Sequence, residues 1–104
     1  MLIVFTTVSN LNEAESLAGR IVEEKLAGCV QILPQMTSVY VWEGEIQKET
    51  EHLMLIKTVP EKYGELEKLI TEKHSYTVPE IVAVESTNVA EPYRKWLEEL
   101  TINR

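Results

Sequence analysis

The sequence is poor in cysteine, glycine, proline and positive charge, and each shortage excludes something. One cysteine in 104 residues cannot form an intramolecular disulfide, so stability must come from packing. Four glycines and four prolines leave no linker or low-complexity tract, and no fixed-period repeat is present. Ten basic residues against seventeen acidic ones give a net charge of −7, the wrong sign for gripping a phosphate backbone or an anionic membrane surface. Neither nucleic acid nor membrane is an expected partner. The apolar run from Met1 is far too short for a membrane span or a signal h-region and has no basic residues before it. With the unpaired thiol, this suggests a reducing, cytoplasmic setting. There is also no Gly-rich phosphate loop, no G-x-S-x-G, no H-E-x-x-H and no cysteine pair at zinc spacing, so catalysis is not expected.

What is present is an ordinary globular composition, 44% apolar and 26% charged, enough for one domain over residues 1–104. Leu2 to Val8 is apolar without alternation and reads as a central strand. Apolar residues at 14, 17, 18, 21, 22 and 26 mark a helix over residues 11–27, with an Asn10/Glu13 capping box and Gly28 at its C-terminal cap. Cys29 to Leu33 is a strand broken by Pro34, which implies an edge, a bulge or a bend. Met36 to Trp42, a Glu43-Gly44 turn and Ile46 to Thr58 form a long hairpin. Thr58 with Glu61 suggests a cap for a second helix carrying Tyr63, Leu66, Leu69 and Ile70 and ending near His74. Ser75 to Pro79 is a connector and Ile81 to Val84 a short buried strand. Asn88 with Glu91 opens a last helix with Tyr93, Trp96, Leu97 and Leu100 on one side.

The order β-α-β-β-α-β plus a terminal helix predicts an α+β, ferredoxin-like antiparallel sheet with its helices on one face. Leu2 to Val8 and Leu53 to Ile56 are apolar at both parities, so the opposite sheet face also needs a cover. A hairpin arm of about 13 residues reaches about 43 Å. A globule of this size is only about 33 Å across. The distal hairpin must therefore project and land on a neighbour, which predicts a homo-oligomer.

Residues with metal or ligand chemistry are few. Cys29, His52, His74 and the methionines are the soft or borderline ligands, with no ordered spacing. Cys29 reads first as a small buried hydrophobe, His52 as a solvent-side or interface residue, and Met54 as core filling. His74, at a helix end, suits a protonated imidazole meeting the helix dipole. Tyr40 and Trp42, two apart on one strand face, suit an oligomer contact better than a ligand-stacking wall. The carboxylates Glu49, Glu51, Glu98 and Glu99 read as solvated faces.

Four segments then form a specific pattern: Glu24 to Val30, Thr37 to Gly44, Glu51 to Thr58, and His74 to Ile81. The S-x-Y-x-W-x-G run followed by H-x-Y-x-x-P-E-I resembles the CutA family, the divalent-cation tolerance proteins, over nearly the whole chain. The resemblance implies a homotrimer built through long intersubunit strands, like the PII signalling proteins, a response to divalent metal ions, and copper as the ion bound. His74 and Cys29 match the family's motif histidine and cysteine and are the implied metal ligands. Thr6 and Lys73 stand where some bacterial relatives carry a further cysteine and histidine. A PII-like sensor is the alternative, with Tyr40, Trp42, Lys57, His74, Tyr76 and Glu80 lining an intersubunit cleft. A non-catalytic trimeric scaffold is a third.

Overall fold

The computed structural model describes residues 1–102. Five strands and three helices follow in the order β1 (Leu2–Val8), α1 (Leu11–Glu23), β2 (Cys29–Ile32), β3 (Met36–Trp42), β4 (Glu45–Thr58), α2 (Tyr63–Lys73), β5 (Val82–Glu85) and α3 (Glu91–Thr101). The sheet order is β2-β4-β1-β5, with β3 pairing β4 beyond β2. All pairings are antiparallel, which is the predicted ferredoxin-like arrangement. Strand β4 is 14 residues long and is served by two partners in succession, β2 at its inner end and β3 at its outer end. Pro34 lies in the gap between those partners, at the sheet edge where a missing N–H is tolerated. Glu43 and Gly44 adopt φ of 52° and 80°, closing the hairpin with two left-handed residues as a tight primed turn requires.

The core lies between the sheet and the α1/α2 layer. Val4, Val8, Ala14, Ile21, Met54, Ile56, Leu66 and Ile70 are fully buried. Their spacing is the reason: even-numbered residues of β1 and β4 point to this face, and the helical residues recur every three or four positions. The predicted inward stripe of α2 is present, with Leu66, Leu69 and Ile70 buried. The odd-numbered face carries Ile3, Phe5, Leu53 and Leu55, which are only half covered. The strand predicted as buried, β5, is not: Val82 and Val84 are 51% and 50% exposed, because they share that odd face and neither α1 nor α2 reaches it.

Helix ends depart from the sequence reading in three places. Helix α1 stops at Glu23, not Ala27, and the left-handed residue is Lys25 at φ 62°. The Leu26 N–H bonds to Ile21 O and the Lys25 N–H to Val22 O, a Schellman closure that turns Leu26 back onto Ile21 in the core. Gly28 serves close packing instead: a methyl group there would overlap Leu97 of α3, and its N–H bonds to Lys57 O. Thr58 is not a cap, since its hydroxyl donates to Leu26 O at 2.6 Å, and α2 is entered through a 3₁₀ turn at Pro60–Lys62. Asn88 is not a cap either: α3 starts at Glu91 after Ala90. Leu97 is its buried anchor, whereas Trp96 is 44% exposed.

The hairpin projects as expected. The molecule measures 45 × 26 × 23 Å. On the arm, Val39, Val41 and Ile46 are 62%, 66% and 74% exposed.

Candidate functional site

Where the arm leaves the body, an open cavity of about 820 Å³ lies between the hairpin and the 75–80 connector. The register of β3 and β4 places Ser38 opposite Glu49 and Met36 opposite Glu51, so Ser38, Tyr40, Trp42, Glu49 and Glu51 share one face of the arm. The connector supplies Tyr76 and Glu80 from the other side. None of the lining residues is Lys, Arg or His.

Glu51 is the central group. It is 5% exposed although it lies in a run that reads as a solvated acidic face. Tyr76 Oη donates to its Oε2 at 2.6 Å, and the hydroxyls of Ser38 and Thr7 also bond to it. Burial pushes the Glu51 carboxyl up, but these hydrogen bonds outweigh burial and hold it below the usual carboxylate range. The Tyr76 phenol is pushed well above its ordinary value by its own burial and by the hydrogen bond and charge of Glu51. Tyr40 is raised as well, by desolvation and then by the charges of Glu49 and Glu51. The cleft thus holds a fixed negative charge beside three aromatic rings.

His74 stands behind this wall rather than in it. Its side chain has no exposed area. Its Nε2 donates to Thr7 O at 2.7 Å, and its Nδ1 accepts the Tyr76 N–H at 3.0 Å. A carbonyl can only accept and an amide N–H can only donate, so the ring is the neutral Nε2–H tautomer rather than an imidazolium meeting a helix dipole. The ring packs on Tyr76 at 4.7 Å between centroids. Glu13 completes the support, accepting from Ser75 N and Ser75 Oγ at 3.0 Å each while Asn10 caps the Glu13 N–H. The predicted capping box is half made; the Glu13 carboxylate is used to pin the connector instead.

Cys29 and Lys57 lie at the opposite end of the sheet, paired in register on the odd face. Cys29 is half-buried, and its thiol bonds to the Tyr93 phenol. The Lys57 ammonium lies 5.9 Å from the Tyr93 ring centroid. Lys57 therefore belongs to the α3 contact, and the cavity lining does not include it. Thr7, which holds His74, pairs with Leu53, four positions along β4 from Lys57 and hence about 13 Å from it. Among the described residues no group of three His, Cys, Asp or Glu side chains converges as a metal site.

Comparison with known proteins matches residues 2–100 to the family described as CutA1 divalent ion tolerance protein. The chain belongs to the CutA1 family. The divalent-cation tolerance protein CutA of Thermus thermophilus is 40% identical over 99 residues, which cover 95% of this chain and 96% of that protein. The chloroplastic CutA protein of Arabidopsis thaliana is 40% identical over 98% of this chain, which spans 56% of that protein's length. Among solved structures, the Thermus thermophilus protein superposes with a TM-score of 0.94 at 40% identity, covering 97% of this chain and 99% of that one. The CutA of Archaeoglobus fulgidus, described as periplasmic, superposes at 0.92 with 37% identity, covering 96% and 98%.

Within this CutA1 chain, Tyr40, Trp42, Tyr76 and Glu80 of the sequence-predicted cleft come together, while Lys57 lies elsewhere and His74 is behind the wall. Sequence reasoning missed Glu51, Glu13 and Thr7 as parts of the same unit. Only Glu51 carried a signal, its position within the family-like Glu51 to Thr58 segment. His52, expected on the solvent side or in an interface, is half-buried and donates from Nδ1 to Leu33 O at 3.1 Å, which holds the chain where β2 ends. No helix among the described residues is long and apolar enough to cross a membrane.

Proposed function

We propose that this chain acts in divalent-cation tolerance as a non-catalytic homotrimer, in the cytoplasm, and that its ligand is taken in the cleft at the base of the arm. The observation that carries this reading is the arm itself. Val39, Val41 and Ile46 are exposed at its sides, Tyr40 and Trp42 are 41% and 47% exposed at the cleft, and the odd sheet face is half covered. A ring of identical subunits would cover these surfaces together and place the cleft between neighbours, where small-molecule sites commonly form. The names of the relatives supply the divalent-cation role, and the chain's negative charge is consistent with cations rather than anions.

Copper held directly by His74 with Cys29 is the second reading. The free, half-buried thiol of Cys29 favours it, since thiolate is a soft ligand for copper(I). It requires His74 to give up a hydrogen bond, because both ring nitrogens are committed within the fold, and it requires the two ligands to come from different subunits, because within one chain they lie at opposite ends of the sheet.

Sedimentation of the wild-type chain tests the assembly, with a trimer expected and a stable monomer at low concentration overturning it. Calorimetric titration of copper(II) into wild type, His74→Ala and Cys29→Ser separates the two readings. The cleft reading expects any copper heat to survive both substitutions, and loss of saturable binding in both variants would move the metal to His74 and Cys29.

A further inference from the structure

We infer that the cleft at the base of the arm is built for an organic ammonium cation rather than for a bare metal ion or an anion; this rests on the cleft reading above and narrows its ligand. At about 820 Å³ the cavity has the size of a small-molecule site. The lining that one subunit contributes disfavours two classes. Anions meet no Lys, Arg or His in the lining, and they meet Glu49, Glu51 and Glu80. A naked divalent ion needs several oxygens or imidazoles converging on one point, and no such group of three exists among the described residues.

What the lining offers is a negative charge set beside π faces. Tyr40 and Trp42 stand two apart on one face of β3, and Tyr76 faces them from the connector. An alkylammonium head is attracted to ring faces and to carboxylates together, while its alkyl groups gain from leaving water. Glu49 and Glu80 supply that charge at the open side of the cleft, and Glu51 adds a charge already dehydrated, because it is 5% exposed and its hydrogen-bond partners, Tyr76, Ser38 and Thr7, are all uncharged donors. The charge is shared among neutral hydroxyls and is not cancelled by a cationic side chain of the lining. Tyr76 is itself fixed by His74 and its connector by Glu13, so that ring needs little reordering on binding.

The test uses the full chain in its native assembly and three probes of matched size: benzyltrimethylammonium, uncharged benzyl alcohol and anionic benzenesulfonate. Calorimetry is expected to show saturable binding of benzyltrimethylammonium alone. Trp42→Ala, and separately the double change Glu49→Gln with Glu80→Gln, are each expected to weaken it about tenfold. The double change leaves the Glu51 hydrogen bonds untouched, so it reports on charge even if Trp42→Ala disturbs the assembly. No saturable binding of the ammonium probe, equal binding of benzyl alcohol, or binding indifferent to the double change would overturn the inference. Sedimentation of the same samples keeps the two claims apart: a trimer that ignores the probe sinks this inference alone, whereas a monomer sinks the reading beneath it.

Discussion

The Tyr76 phenol donates a 2.6 Å hydrogen bond to the carboxylate of Glu51, joining the connector after α2 to the base of the projecting arm. A hydrogen bond to an ionised acceptor is among the stronger contacts a protein makes, and leaving that acceptor buried and short of a donor is costlier still. Tyr76→Phe should therefore lower stability by about 1.5–3 kcal/mol in denaturant titrations. Glu51→Gln, which keeps an acceptor in place, should cost less. Equal losses for the two would show that the charge plays no part.

The same pair sets the pH limits of the fold. Glu51 is held below its ordinary pKa, so its contribution is present above the unfolded carboxylate range and is lost as pH falls through the folded value. Tyr76 is raised above its ordinary value of 10.0, so its contribution is present below that pH and is lost as pH climbs toward the folded value. Wild-type stability should decline at both extremes. In Tyr76→Phe the alkaline decline should shrink, and thermal melts at pH 7 and above pH 10 compare the two directly.

Lys25 occupies the left-handed position of the α1 closure at φ 62°, a conformation that costs a side-chain-bearing residue about 1 kcal/mol relative to glycine. Lys25→Gly should raise the melting temperature by a few degrees. A fall would mean that the lysine side chain holds a contact worth more than the backbone relief.

Gly28 and Leu97 should behave as a coupled pair. Gly28→Ala drives a methyl into the Leu97 side chain and is expected to cost about 1–3 kcal/mol. Leu97→Val should recover part of that loss in the double variant, so that the two changes are non-additive. Strict additivity would place the glycine requirement elsewhere.

Thr6 Oγ1 is fully buried and has no hydrogen-bond partner among the described residues, opposite Met54 in the core. Thr6→Val keeps the shape and removes the unsatisfied hydroxyl, so it should stabilise by about 1 kcal/mol. Thr58→Val is the control with the opposite sign, because that hydroxyl is bonded to Leu26 O. Chemical denaturation of both variants reads the pair.

Periodicity made the order of elements along the chain, the two core helices and the projecting hairpin legible, because each depends on which face of an element is apolar. Helix ends were less so, since several residues can meet the same requirement: Lys25 took the left-handed position for which Gly28 is the better sequence candidate, and Thr58 bonded across 32 residues instead of capping locally. For the site, the alternation of β3 put Tyr40 and Trp42 on one wall. Glu51, Thr7, His74 and Glu13 were out of reach of local pattern, because what unites them is tertiary: Tyr76 arrives from a connector 25 residues beyond Glu51, and Ser75 lies 62 residues beyond Glu13. A charge run reads as solvated until something distant covers one member of it.

The division of labour along β4 has a further consequence. Its inner half is locked between β1 and β2, whereas its outer half pairs with β3 alone and beyond Glu51 stands clear of the body, so a substitution at the arm's tip barely alters the energy of the lone subunit. Changes there are felt by whatever the arm meets. Drift at Val39, Val41 and Ile46 can therefore rewrite who associates with whom while the fold beneath stays the same.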